Sequence, residues 1–184
     1  MQFETLAEYI SAYRADPSIV GLPVPVVAEH LGLSPAAVTA RVRSGSLEGL
    51  RIGRHSFVAL QSLLNDEDKM AADVRTVERY LWKQAKAGVS AIFYEPVMAT
   101  VGLTPRVPAE RNRIGAILGK VSERSMEEGK VMLSVLVHRK TAGITRPGPG
   151  FFDLARHFGF EFEDDDEFVR KQTAKVLKLA AKQG

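Results

Sequence analysis

Apolar residues recur through most of this chain at three- and four-residue steps, and in one place they run unbroken. In residues 4–14, Leu6, Tyr9, Ile10 and Tyr13 share one helical face. Residues 15–25 hold three prolines and read as a connection. In residues 72–87, Val74, Val77, Leu81 and Ala85 form a stripe with Trp82 beside it, and Gly88 ends the helix. That stripe either packs on the C-terminal domain or serves a homodimer, and it is too short for a long coiled coil. Residues 90–101 are apolar enough for a buried helix with Pro96 early in it or at a kink. Residues 109–128 predict a long helix. Ile114, Ile117, Leu118, Val121 and Ser125 lie on its inner face, and Arg111, Arg113, Lys120 and Arg124 on its outer face. Residues 131–137 are apolar apart from Ser134 and read as a strand buried on both faces, with 92–94 or 143–145 as its partner. Residues 151–160 form a short aromatic helix. Residues 166–182 form the last one, with Phe168, Val169, Val176 and Leu177 inward. Its acidic start and lysine-rich end match the helix dipole.

Residues 24–63 carry the most specific pattern. A short helix over 25–31 turns inward Val27, Ala28 and Leu31, with Ala28 small enough for another helix to cross it. Gly32 suits a positive-φ turn. Ser34 is a good N-cap, Pro35 fits the first helical position, and Gly45 ends a second helix that turns Val38 and Val42 inward. Two helices joined this tightly form a helix-turn-helix, whose second helix enters the DNA major groove. Residues 50–52 and 55–58 are short strands about a Gly53-Arg54 turn, a hairpin wing, and Leu60, Leu63 and Leu64 begin a closing helix.

The order V-A-x-x-L-G-x-S, basic second helix, glycine, R-I-G-R hairpin and closing helix resembles the excisionase and MerR-like winged-helix family. The resemblance covers residues 24–64 of the 184. It departs from the family at Arg41, where an apolar residue is usual. It implies a module that binds double-stranded DNA in transcription control or in directing site-specific recombination, in a phage or another mobile element. Ala36, Ala37, Thr39 and Arg43 are then the expected groove residues, with Ser34 and Arg41 on phosphates and Arg51, Arg54 and His55 on the backbone or minor groove. Arg43 is the candidate base reader, because arginine pairs bidentately with guanine.

Charge widens the picture. Residues 1–66 hold five Lys/Arg against six Asp/Glu, net −1, and the segment 24–60 holds four arginines against two glutamates, net +2. Such a segment supplies only modest non-specific DNA affinity. Residues 103–146 hold nine Lys/Arg against four Glu, net +5. There Arg106, Arg111, Arg113, His138, Arg139 and Lys140 are candidates for an anion or nucleic-acid site at the end of the apolar strand. The acidic run 161–167 reads as a helix N-terminus. The absence of cysteine excludes disulfides and thiolate metal sites and fits a cytoplasmic protein. No apolar run is long enough for a membrane span, and the acidic N-terminus does not read as a signal peptide.

Catalytic chemistry is not evident. The four histidines lack zinc spacing, and no nucleophile elbow is present. Gly115, Gly119 and Lys120 are one residue short of a phosphate loop and lack the Ser/Thr that follows it. Glu128-Gly129-Lys130 has the Glu-x-Lys spacing of metal-dependent nucleases, with no convincing upstream Asp. The expectation is a mainly α protein with small β (α+β). Residues 1–66 form the winged helix-turn-helix with its N-terminal helix. Residues 67–184 form a mostly helical domain around one buried strand, for dimerisation, a protein partner or an effector. No metal or cofactor is called for. The function expected is a transcriptional regulator or excisionase-like directionality factor rather than an enzyme. The alternatives are a nucleic-acid-processing enzyme or toxin targeted by its winged helix, and an adaptor whose helix-turn-helix contacts protein.

Overall fold

The computed structural model describes residues 1–141 and 144–182. Helix makes up 63% and strand 12%, which places the chain in the mainly α, α+β class. It forms two compact units, Met1–Met70 and Ala71–Gly184.

The first unit is built on α2 (Val24–His30) and α3 (Pro35–Arg43). Gly32 takes φ +63° after α2. Its N–H donates to the Glu29 carbonyl and the Leu33 N–H to that of Ala28, so the helix end is satisfied within three residues. The Ala37 N–H donates to Ser34 Oγ at 3.2 Å, which caps α3 as the sequence suggests. At the other end of α3, Gly45 (φ +77°) repeats the device, with Ser46 N–H on the Arg41 carbonyl. Val27, Ala28 and Val38 are buried together with Leu47, Val58 and Leu63, and Leu31, Leu33 and Val42 pack against them.

The hairpin consists of β3 (Gly49–Ile52) and β4 (His55–Ala59), with Ile52 opposite His55 across Gly53-Arg54. It lies inside a four-stranded sheet. Residues 2–3 form β1 (Gln2–Phe3), parallel to β3, and β2 (Gly21–Pro23) lies antiparallel to β4, in the order β1-β3-β4-β2. Two- and three-residue strands carry no periodicity, so the sequence presents β2 as part of a connection. Between them, α1 (Leu6–Ala15) buries no residue. Tyr9 is anchored, with its hydroxyl on the Ile19 carbonyl at 2.9 Å and its ring edge-on to Phe3. Leu6, Ile10 and Tyr13, expected to share one face, stand exposed.

The division between the units falls inside α4 (Leu60–Lys86). Residues 65–68, where the sequence places the domain boundary, are helical. Their polarity serves the helix surface: Asn65 accepts from Gln61 at 3.0 Å, Asp66 pairs with Arg41, and Glu67 pairs with His30. Leu63 enters the core, while Leu64 is exposed.

In the second unit the stripe of Val74, Val77, Leu81 and Ala85 is buried within its own chain. Residues 90–101 are not one helix. They form β5 (Ile92–Phe93) and then α5 (Tyr94–Ala99). The long helix α6 (Pro108–Gly129) buries Ile114, Ile117, Leu118 and Val121 as expected. Lys130, not Gly129, takes the left-handed conformation that ends it (φ 55°). Gly129 is needed for space instead, since a Cβ there would lie 2.5 Å from Leu179 Cδ2.

The apolar run 131–137 is buried but is not the expected strand. Residues Leu133–Leu136 form a 3-10 turn, and the strand β6 (Val137–Thr141) begins where the run ends. Hydroxyls from α6 supply the bonds a neighbouring strand would have made. The Leu133 N–H donates to Ser125 Oγ (3.1 Å), the Ser125 hydroxyl donates to the Val131 carbonyl (2.8 Å), and the Ser134 N–H donates to Ser122 Oγ (3.3 Å). Ser122 and Ser134 Oγ are also 2.6 Å apart. Both segments suggested as partners do pair with β6: β5 in parallel, and β7 (Ile144–Arg146) antiparallel.

Two helices complete the unit. The first, α7 (Pro149–His157), opens inside the Pro-Gly turn. The second, α8 (Asp165–Lys182), buries Phe168, Val169, Val176 and also Gln172, which its polarity concealed. Leu177, expected inward, is half-buried. Asp164 Oδ1 accepts from the Asp166 and Glu167 N–H groups, so the acidic run caps α8.

Ser125→Ala leaves the Leu133 N–H and the Val131 carbonyl buried without this hydroxyl. Urea unfolding should show a loss of about 1–3 kcal/mol. A loss within about 0.5 kcal/mol, the range of an ordinary surface change, would contradict the bracing role given to this serine.

Candidate nucleic-acid interface

The buried side of α3 decides which of its residues meet solvent. With Val38 fully buried, Ala36, Ala40 and Arg43 stand exposed at steps of four and three, one stripe along the helix. Ala37 and Thr39, expected beside them, flank the stripe and are half-buried. The Thr39 hydroxyl is already spent on the Pro35 carbonyl at 2.9 Å. Ser34 is exposed and caps the helix. Ala40 was not singled out from the sequence, although the 36–40–43 spacing carried the signal.

Arg41 lies on the same flank as Ala37. Its Nη1 lies 3.7 Å from Asp66 Oδ2. It is a half-exposed arginine tied to α4, and its charge is partly offset there. Arg43, by contrast, makes no ion pair among the described residues, nor does Arg54. On the hairpin Arg51, Arg54 and His55 are all exposed. Arg51 Nε donates to the Gly53 carbonyl at 3.1 Å, which steadies the turn carrying Arg54. β1 braces the same hairpin: the Gly53 N–H donates to the Phe3 carbonyl at 2.8 Å.

The six residues proposed as an anion site are not gathered at one point. Arg113 is held by Asp73, with Nε and Nη2 at 3.2 and 2.9 Å from one carboxylate oxygen. Arg111 donates to the Pro105 carbonyl at 2.7 Å, and Arg106 is exposed in the loop before α6. His138 turns inward: its Nε2–H donates to the Val135 carbonyl at 3.0 Å, and its Nδ1 is buried with no partner among the described residues. Successive strand residues face opposite sides, so His138 and Arg139 do not share a face. Lys140 lies in β6, and its side chain falls outside the described residues. Arg139 instead lines a cavity of about 170 Å³ with Arg146 and Arg156, two residues the sequence reading missed. Arg146 directly precedes the turn at residues 147–150 and Arg156 lies in the last turn of α7; the turn, which brings the two together, was the available signal.

The Glu-x-Lys element does not form a site. Glu128 is exposed and lies 3.7 Å from Arg124, and Lys130 is a helix cap. Among the described residues no group of three or more His, Asp or Glu side chains is placed to hold a metal ion. Glu78 is buried against Arg124, with Oε2 3.1 Å from Nε and Oε1 unpartnered among the described residues. Burial pushes its carboxyl above the usual range, against the pull of Arg124. Among the described residues no helix is long and apolar enough to cross a membrane.

Compared with protein-family models, curated proteins and solved structures, the chain matches none of them.

Burial holds the His138 imidazole below the ordinary histidine range, against the opposing effect of its bond to Val135. Protonation is thus harder in the folded chain than in the unfolded one. His138 then has little effect on stability above about pH 6.5 and lowers it as pH falls further. Glu78, with a raised carboxyl, acts in the opposite sense and is common to both proteins compared. Urea unfolding at pH 7 and pH 5 should show a smaller loss in His138→Gln than in the parent. An equal loss would contradict the buried, neutral imidazole.

Proposed function

We propose that the first unit is a winged helix-turn-helix that binds duplex DNA through α3 and the β3–β4 hairpin. The chain then acts as a sequence-specific DNA-binding protein, a transcriptional regulator or an excisionase-like directionality factor, and not as an enzyme. The observation that carries this reading is the exposed stripe of α3. Two alanines keep the helix surface low enough for a groove wall to approach. Arg43, at the end of the stripe, has no competing carboxylate among the described residues and is long enough to reach a base edge. The opposite side of α3 is locked into the core, so the stripe does not rotate away.

The hairpin supplies the second contact. Arg54 at the turn and Arg51 beside it bring positive charge to a phosphate or a minor groove, on a sheet whose outer edge is braced by β1. Arg41 contributes less than its charge suggests, because Asp66 shares it. The few unpaired arginines imply a small number of phosphate contacts. A second copy on a two-fold symmetric site is the expected way to gain affinity.

Two substitutions separate the roles. In fluorescence-anisotropy titrations over a range of salt, Arg54→Ala should weaken all duplexes alike and reduce the salt slope by about 1. Arg43→Ala should cost roughly 1–3 kcal/mol on a preferred sequence and relax discrimination there. Equal loss on every duplex for Arg43→Ala would make it a phosphate contact. Unchanged binding in both variants would remove α3 and the hairpin from the interface.

A further inference from the structure

The second unit holds an arrangement that the DNA reading leaves unused. Arg139 on β6 and Arg146 on β7 are directly opposite each other in the antiparallel pair. Like charges in that position repel, because the two Cβ atoms are only about 5 Å apart. Arg156 from the last turn of α7 lines the same cavity, so three guanidinium groups are assembled between the sheet and α7.

Each arginine is held in place. Arg146 lies 5.9 Å above the Phe152 ring, and Arg156 lies 4.8 Å above that of Phe162. The stem of Arg139 lies against Gly148, where a Cβ would be 3.9 Å from Arg139 Cδ and 3.3 Å from the Tyr94 hydroxyl. The internal carboxylates compensate incompletely. Asp165 is 3.6 Å from Arg146 and Asp153 is 3.8 Å from Arg156, both as long pairs of part-exposed or exposed side chains. Pairs of this kind contribute little. Arg139 makes no ion pair among the described residues. The cavity thus carries three positive and two weakly engaged negative groups, with an apolar wall of Phe152, Pro147 and Pro149.

We propose that this cavity binds a phosphate group. Guanidinium forks match phosphate oxygens in pairs, and such charge-assisted bonds outcompete long carboxylate contacts. An anion between Arg139 and Arg146 removes the cross-strand repulsion that no ion pair among the described residues offsets at Arg139. Size narrows the ligand. The cavity is well below the roughly 300 Å³ at which pockets enclose a drug-sized molecule, so it takes one phosphate group, with the rest of the ligand outside. That phosphate belongs either to a small phosphate ester or to a nucleic-acid backbone. The inference does not rest on the DNA contact proposed for the first unit.

The test is a titration of the full chain with inorganic phosphate at constant ionic strength, followed by phosphorus NMR, with chloride as the reference anion. Saturable phosphate binding is expected, weakened on the order of tenfold or more in Arg139→Gln, where a charged hydrogen-bond donor is lost. Because Arg139 makes no ion pair among the described residues, this variant should fold normally. Arg146→Gln should weaken binding too. Absence of saturable binding, or binding in Arg139→Gln and Arg146→Gln equal to that of the parent, would overturn the proposal. The same variants titrated with duplex DNA assign the source. A salt slope lower by about 1 in Arg139→Gln identifies a backbone phosphate. An unchanged slope together with lost phosphate binding identifies a small phosphate ester.

Discussion

The burial of Val38 against Val27 and Ala28 decides how the first unit meets its surroundings. A helix of nine residues has few ways to present itself once one position is fixed in a core. Fully burying a valine is worth about 1.5–3 kcal/mol, which exceeds what any exposed residue of α3 gains by turning inward. Val38 therefore sets the rotation of α3, and the rotation selects Ala36, Ala40 and Arg43 for solvent. The capped ends sharpen the choice. Ser34 and the Gly45 turn fix where the helix starts and stops, so Arg43 falls at the final residue, next to the path into the hairpin. The candidate interface follows from the packing of a small core rather than from a strongly basic surface.

This part of the fold was largely legible because its determinants are local. The caps at Ser34 and Gly45, the Gly32 turn, the inward residues Val27, Ala28 and Val38, and the Gly53-Arg54 hairpin each lie within a few residues of what they control. What escaped depends on distant pairing. Nothing near Gln2 shows that it will lie beside Arg51, and nothing near Gly21 shows that it will pair with Ala59. The polar residues 65–68 resemble a boundary until Arg41 and His30 are found against them. The exposure of Leu6, Ile10 and Tyr13 is of the same kind, since periodicity marks a face but not what covers it.

An apolar run such as 131–137 fits any buried conformation, because the pattern records burial and not hydrogen bonding. The deciding groups were Ser122 and Ser125, about ten residues upstream on α6, whose hydroxyls satisfy backbone groups that would otherwise require another strand. The anion cluster was misassembled for a related reason. Positive residues close in sequence, from Arg106 to Lys140, were grouped together, whereas strand alternation and the turn at 147–150 gather Arg139, Arg146 and Arg156. Arg113 is occupied by Asp73, a partner forty residues away.

The central claim is that α3 reads a DNA sequence. The most direct measurement is selection of the full chain on a pool of random duplexes at two salt concentrations, followed by sequencing of the retained DNA. The account predicts an enriched motif that survives at the higher salt, because base contacts persist while phosphate contacts weaken. A palindromic motif would further identify a two-fold complex. Retention without enrichment at low salt, lost entirely at higher salt, would contradict sequence reading by α3.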